Sequence, residues 1–163
     1  MVNPDKWLID NTVLSNFALI DQLRLLSEFL RDKLLVTQEV KNEFLNGINA
    51  GKLPEGCDIE WINIISFKDT KEQNMFIKLC ERFGKGESSI LSIAINRKWK
   101  IITDDIDARK MAQREEIAVT GSIGLLVYLI KKGNILLTDG NNKLEKMIKA
   151  GYFSPINSLN NLL

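Results

Sequence analysis

Short apolar runs alternate with longer stretches of helical periodicity along the chain. Residues 7–9 (Trp-Leu-Ile) form a compact apolar run ending at Asp10, the pattern of a buried strand. Asn11 or Thr12 then stands where a helix N-cap is expected, ahead of Leu14, Phe17, Ala18 and Leu19. A second helical pattern runs from Asp21 through Leu23, Leu26 and Leu30. Residues 34–36 predict the next strand, and Thr37 caps a helix carrying Val40, Phe44 and Ile48 on one face. Residues 51–58 hold two glycines and Pro54 and predict a loop. Strands follow at 61–65, 101–102 and 118–119. Between and after them helices are expected over 69–83, 87–96 and 107–115, and from Thr120 to Gly133. In the 69–83 helix Phe76, Leu79 and Cys80 point inward, and two short helices near 141–150 and 155–162 finish the chain.

Strands alternating with helices predict an α/β fold around a mostly parallel sheet of four to five strands. The strands are uniformly apolar, as expected when helices cover both faces of the sheet. At 163 residues the chain reads as a single domain spanning 1–163, with 139–163 as a C-terminal helical extension. No apolar run approaches the roughly 20 residues of a membrane span. The first ten residues, MVNPDKWLID, lack the basic and apolar regions of a signal peptide. Cys57 and Cys80 are far apart, show no metal-binding spacing and read as small apolar fillers in a reducing compartment. The expected setting is cytoplasmic.

The pattern also says where chemistry should gather. In such sheets, ligands bind outside the carboxyl ends of the strands. Asp10 ends the first strand, and Thr103, Asp104 and Asp105 follow the fourth, so two strands deliver acids to one edge. Glu87 lies early in its helix on the apolar face of Leu91 and Ala94, where a carboxylate is costly without compensation. Glu39 and Glu43 lie one turn apart on the third helix. Each acid has an ordinary explanation: Asp10 caps the first helix, one of Asp104, Asp105 and Asp107 caps the helix at 107, Glu87 is a first-turn helix acid, and Glu39 and Glu43 lie on a solvated helix face. Three like charges within 104–107 nevertheless repel unless something positive joins them.

Composition narrows the chemistry. There is no histidine among the 163 residues, so no imidazole can serve as base or ligand and no Ser-His-Asp triad exists. An oxygen-only cluster suits Mg²⁺ or Mn²⁺ and metal-assisted hydrolysis of a phosphodiester. The net charge of +1 (22 Lys and Arg against 21 Asp and Glu) neither demands nor excludes a polyanionic partner. There is no Gly-x-x-x-x-Gly-Lys-Ser/Thr phosphate loop, and the glycines at 84–86 and 121–124 read as tight turns and close packing. Asp10-Asn11-Thr12 lacks the second aspartate of the haloacid dehalogenase phosphatases, and the acid pair lies after the wrong strand for a response-regulator receiver.

Several stretches together carry a family resemblance: 8–17 (Leu-Ile-Asp-Asn-Thr-Val-Leu-Ser-Asn-Phe), Val40-Lys41-Asn42-Glu43, Gly86-Glu87 with Ile90, Leu91 and Ala94, and Ile102 to Arg109. Val119 to Leu126, Lys132 to Ile135 and Ala150 to Ser154 extend it. With them the chain resembles PIN-domain proteins over nearly its whole length, most of all stand-alone prokaryotic ones related to the VapC-type toxin ribonucleases. The resemblance implies a three-layer α/β/α sandwich and a Mg²⁺- or Mn²⁺-dependent ribonuclease. It implies a metal site built from Asp10, Glu43, Glu87 and one acid of the 103–105 turn. The Thr-x-Asp pattern points to Asp105, with Asp104 and Asp107 as outer ligands or supporting groups. Asn11, Thr12, Ser15 and Thr103 are the polar residues beside the acids, and Arg109 is assigned to hold a carboxylate or an RNA phosphate. An RNA substrate, an antitoxin protein and a homodimer are the partners it implies. Lys68, Lys71, Lys78, Arg82 and Lys85, or Lys131 and Lys132, are candidate phosphate contacts. Trp7, Trp61 and Trp99 adjoin strands and are read as core. The alternatives are a PIN-fold module without catalysis that binds RNA or a protein, and a phosphatase of another α/β family.

Overall fold

The computed structural model describes residues 5–163, so the first four residues of the N-terminal stretch read above lie outside the described residues. Five strands form one sheet in the order β3-β2-β1-β4-β5: β1 (Trp7–Ile9), β2 (Leu34–Val36), β3 (Asn63–Ile64), β4 (Lys100–Ile102) and β5 (Val119–Thr120). Every pairing is parallel. Trp7 pairs with Leu34 on one side and Lys100 on the other, and Ile9 pairs with Ile102. Eight helices flank the sheet: α1 (Asn11–Leu19), α2 (Leu23–Leu30), α3 (Gln38–Asn49), α4 (Thr70–Leu79), α5 (Lys85–Arg97), α6 (Ile106–Arg114), α7 (Ser122–Lys131) and α8 (Leu137–Lys149). The architecture is the three-layer α/β/α sandwich. The order in which strands are added reverses between β1 and β4, the position in an open parallel sheet where a crevice forms.

All three residues of β1 are buried, as are those of β2, because helices cover both faces. Leu8, Ile9, Phe17, Phe44, Ile90, Leu91, Ile101 and Leu125 meet in one continuous core. Trp7 is buried and stacks edge-on with Tyr128 at 5.0 Å, while Trp61 and Trp99 pack half-buried against the core. Both cysteines are free thiols.

Several boundaries differ from the sequence pattern, each for a local reason. The N-cap position of α1 is taken by Asp10, not by Asn11 or Thr12. The second helix begins at Leu23, because Asp21 adopts a left-handed backbone at φ 56 that ends the preceding turn. The strand expected over 61–65 shrinks to Asn63–Ile64, both exposed at the sheet edge, while Ile59 and Ile62 are buried from the preceding turns. The helix after Asp69 ends at Leu79, short of Phe83. Toward the end of the chain α8 starts at Leu137, and 155–162 contains only a single 3-10 turn, Asn160–Leu162.

One stabilising feature has no apolar signature. Glu72 of α4 is fully buried and is gripped by Arg97 of α5, with Nε to Oε1 at 2.8 Å and Nη2 to Oε2 at 3.0 Å. The Lys68 backbone N–H adds a third bond to Glu72, at 2.9 Å, and Arg97 also donates to the Ser66 carbonyl at 2.8 Å. Burial alone would raise the Glu72 pKa, but these partners outweigh it and hold the carboxyl below its usual range. Breaking one side of such a pair leaves an uncompensated buried charge. Glu72→Ala or Arg97→Met should each lower unfolding stability by about 3–5 kcal/mol in urea titration, and the double variant should lose less than the sum. Because the folded pKa is depressed, this contribution is present above the unfolded value and is lost as pH falls through the folded one, so acid should narrow the difference between wild type and variants.

Candidate active site

Asp10 leaves the end of β1 at the reversal point, with its backbone N–H bonded to the Ile102 carbonyl of β4 at 2.8 Å. It occupies the N-cap position of α1, yet its side chain makes no capping bond. Instead Oδ2 accepts from the hydroxyls of Thr12 and Thr103, at 2.8 Å each. The carboxyl is 1% exposed, and burial raises its pKa while the two hydroxyls pull it back. Asp10 thus stands at the cap position, where the Asn11 and Thr12 amides also lower its pKa, but its carboxyl is bonded to two hydroxyls as well.

Three further carboxylates come from three different elements. Glu43 lies in α3, whose start is fixed by Thr37: its Oγ1 accepts from the Val40 N–H at 3.2 Å and meets Ser89 Oγ of α5 at 2.7 Å. Glu87 lies in the first turn of α5 and accepts from the Gly84 N–H at 3.0 Å. Asp105 caps α6, its Oδ1 accepting from the Ala108 N–H at 2.7 Å, and its own backbone N–H donates to the Thr103 hydroxyl oxygen at 3.1 Å. Glu43 accepts from the Gly86 N–H at 2.9 Å. Only glycine permits this approach, since a β-carbon at 86 would stand 2.6 Å from a Glu43 oxygen.

Glu87 feels the other three acids. Burial raises the Glu87 pKa to about 7, and Asp10, Asp105 and Glu43 add to it in that order by like-charge repulsion. Burial also raises Glu43, with Asp10 contributing. None of the four is ion-paired with Lys or Arg among the described residues. In kind, an oxygen-only set with this unbalanced negative charge fits a hard divalent cation. As the side chains stand, however, no group of three or more acids or thiols among the described residues is arranged to hold a metal ion, because Glu43 and Glu87 are turned onto backbone N–H groups.

The remaining site residues divide by position. Asp104 points away from the acid cluster. Its Oδ2 accepts from Asn16 Nδ2 at 2.8 Å and Ser122 Oγ at 2.5 Å, and its Oδ1 accepts from the Ser122 N–H at 2.8 Å. Tyr152 adjoins the same carboxylate, which with burial drives the phenol pKa upward. Asp107 is exposed on the outer side of the first turn of α6. Thr12 Oγ1 also accepts from the Asp104 N–H at 3.1 Å, so Thr12 joins the two strand ends. Ser15 donates to Asn11 Oδ1 at 3.3 Å. Arg109 donates through Nη1 to the Thr103 carbonyl at 3.0 Å and so braces the acid turn. Asn16, Ser122, Tyr152 and the Gly84 and Gly86 amides are participants that no charge or spacing signal singles out. Their signal lies in being opposite a carboxylate in space.

A family model described as DUF3368: PIN domain matches residues 6–163. No curated protein and no solved structure matches the chain.

The electrostatics of the cluster predict how stability depends on pH. Glu87 has a folded pKa near 7, above its unfolded value of about 4.5, so at neutral pH its charge opposes folding. In chelator, the melting temperature should rise as pH is lowered from about 7 toward about 4.5. Glu87→Gln should raise the melting temperature at pH 7 and flatten that slope. A wild type whose stability falls steadily over this window, with no difference in Glu87→Gln, would contradict the cluster.

Proposed function

Because the chain belongs to the PIN-domain family, whose members are generally nucleases, we propose that it is a divalent-metal-dependent ribonuclease that hydrolyses RNA phosphodiester bonds. The observation that carries this reading is the crowding of Glu87 by Asp10, Asp105 and Glu43 where the strand order reverses, with no cationic side chain among the described residues paired to any of the four. Asp10, Glu43, Glu87 and Asp105 would hold Mg²⁺ or Mn²⁺. A bound divalent ion there lowers the pKa of a coordinated water and neutralises charge developing on the attacked phosphate.

The protein's own groups do the positioning. Burial raises the Asp10 pKa, and the Thr12 and Thr103 hydroxyls, bonded to its Oδ2, favour the ionised form against it and fix the direction of the carboxyl. The Gly84 and Gly86 amides fix where the two glutamates begin. Asp104 acts through Ser122, setting the start of α7 beside the acid turn, and Arg109 holds that turn from the other side. With no histidine in the chain, protons pass between water and carboxylates, and no imidazole titration shapes the activity.

In the same reading the protein is the toxin of a toxin–antitoxin pair, works in the cytoplasm and associates as a homodimer. Its support is the family, together with the fact that no helix among the described residues is long and apolar enough to cross a membrane. The competing reading, an inactive module that binds RNA or protein, predicts RNA or partner binding without metal binding.

RNA cleavage should appear with Mn²⁺ or Mg²⁺ and vanish in chelator. Asp10→Asn should reduce it on the order of 100-fold while leaving the fold intact by circular dichroism. Equal cleavage by wild type and Asp10→Asn would sink the assignment. Mn²⁺ should also raise the melting temperature of the wild type more than that of Asp10→Asn.

A further inference from the structure

The amino-terminal edge of the sheet gathers charge of the opposite sign. Trp7 opens β1 and Lys100 opens β4, and the two are partners in the parallel ladder. The Trp7 N–H donates to the Lys33 carbonyl at 2.9 Å, which ties Lys33, just ahead of β2, to the same residue. Lys132 closes α7 with its N–H on the Tyr128 carbonyl at 3.0 Å. These backbone contacts deliver three ammonium groups to two touching rings. Lys100 Nζ stands 4.6 Å and Lys33 Nζ 5.4 Å from the centre of the Trp7 ring, and Lys132 Nζ lies 5.6 Å from the centre of the Tyr128 ring. The rings themselves meet edge-on at 5.0 Å.

Ordinary explanations cover part of this arrangement. A lysine over a ring gains from the negative face of the π-system, and a lysine at a helix C-terminus gains from the dipole, which suits Lys132. Neither accounts for Lys33 and Lys100 sharing one ring, because like charges repel. Lys100 is half-buried; burial lowers its pKa, and Lys33 lowers it further. Among the described residues no carboxylate is ion-paired with Lys100 or Lys132. Lys33 reaches Asp5 at 3.9 Å, but that carboxylate side chain is 80% exposed and water screens the pair.

The cluster therefore presents donors and positive charge in excess of its acceptors. A compact monoanion meets one or two of these ammoniums. A chain of linked phosphates carries charge along its length and offers only acceptor oxygens, so it meets all three. The rings lie beneath the ammoniums, and Trp7 is 6% exposed, so it has no open face on which a base could stack. That favours bare linked phosphates over a nucleic acid strand.

We propose that Lys33, Lys100 and Lys132, set on Trp7 and Tyr128, form a binding site for linked phosphates, either inorganic or carried by a nucleotide. The site lies at the opposite ends of the strands from Asp10, and it stands whether or not the protein cuts RNA.

The test is calorimetric titration with inorganic tripolyphosphate, orthophosphate and ATP in chelator, at low and at physiological ionic strength. Lys33→Gln, Lys100→Gln, Lys132→Gln and Lys100→Arg are compared with wild type and with Lys78→Gln, which removes an exposed lysine of α4, an element that carries neither ring. Tripolyphosphate should bind on the order of tenfold more tightly than orthophosphate and should raise the melting temperature of the wild type. Each glutamine variant of the cluster should weaken tripolyphosphate binding on the order of tenfold, whereas Lys100→Arg and Lys78→Gln should keep it. Without ligand, Lys100→Gln should melt no lower than wild type, since a repelling charge is gone. Lys132 is exposed, so its variant decides the matter if Lys100→Gln is unstable. Tighter binding of tripolyphosphate than of ATP names an inorganic chain as the source and the reverse order a nucleotide; both support the site. Tripolyphosphate that does not bind at millimolar concentration overturns the proposal. So does an equal loss in Lys78→Gln, which reports only general attraction to a basic surface. RNA binding that depends on Lys100 and that tripolyphosphate does not displace also overturns it, and assigns this edge to a nucleic acid strand.

Discussion

Asp10 is a carboxylate on a residue with 1% of its surface exposed, placed where the strand order of the sheet reverses, and much of the surrounding structure answers that one constraint. An ionised group in such a place must be hydrogen-bonded or neutralised. Thr12 and Thr103 supply the hydrogen bonds from the two strands that flank the crevice. Placing three further acids within electrostatic reach raises the cost rather than relieving it, and Glu87 near pKa 7 is where that cost shows most plainly. A fold stabilised for its own sake would place a lysine there. Glu72, equally buried, has its arginine, and the contrast separates a carboxylate paired with a cation from one held by hydroxyls.

Much of the frame was legible in the chain. The uniformly apolar strands at 7–9 and 34–36 required cover on both faces, and the alternation with helices required parallel pairing. The edge strand was misjudged because the apolar signal of 61–65 comes from Trp61 and Ile62 packing from a turn, and only two residues reach the ladder. The C-terminal stretch was misjudged because its apolar spacing suggests a helix at 155–162, whereas side-chain bonds from Ser154 and Asn141 organise it as irregular chain.

The acids illustrate the same division. Strand ends brought Asp10, Asp104 and Asp105 to one edge of the sheet before any coordinates, with Glu87 and the pair Glu39 and Glu43 on helices beside it, and the choice of Glu43 and Asp105 came from the family resemblance. Proximity in sequence could not separate Asp104 from Asp105, because neighbouring residues point opposite ways and the direction is set by what waits there. For Asp104 that is Ser122 and Asn16, residues with no charge to advertise them. The Glu72–Arg97 pair was invisible for a related reason: an acid on a polar-looking helix gives no hint that its partner lies 25 residues away.

The contacts of Asp104 also bear on timing. Its carboxylate gathers residue 16, residue 122 and residue 152, so its frame spans almost the whole length of the polypeptide. During synthesis the strand carrying Asp10 emerges well before the start of α7 and residue 152. A partly made chain therefore holds Asp10 and Asp104 before the contacts that orient Asp104 can form.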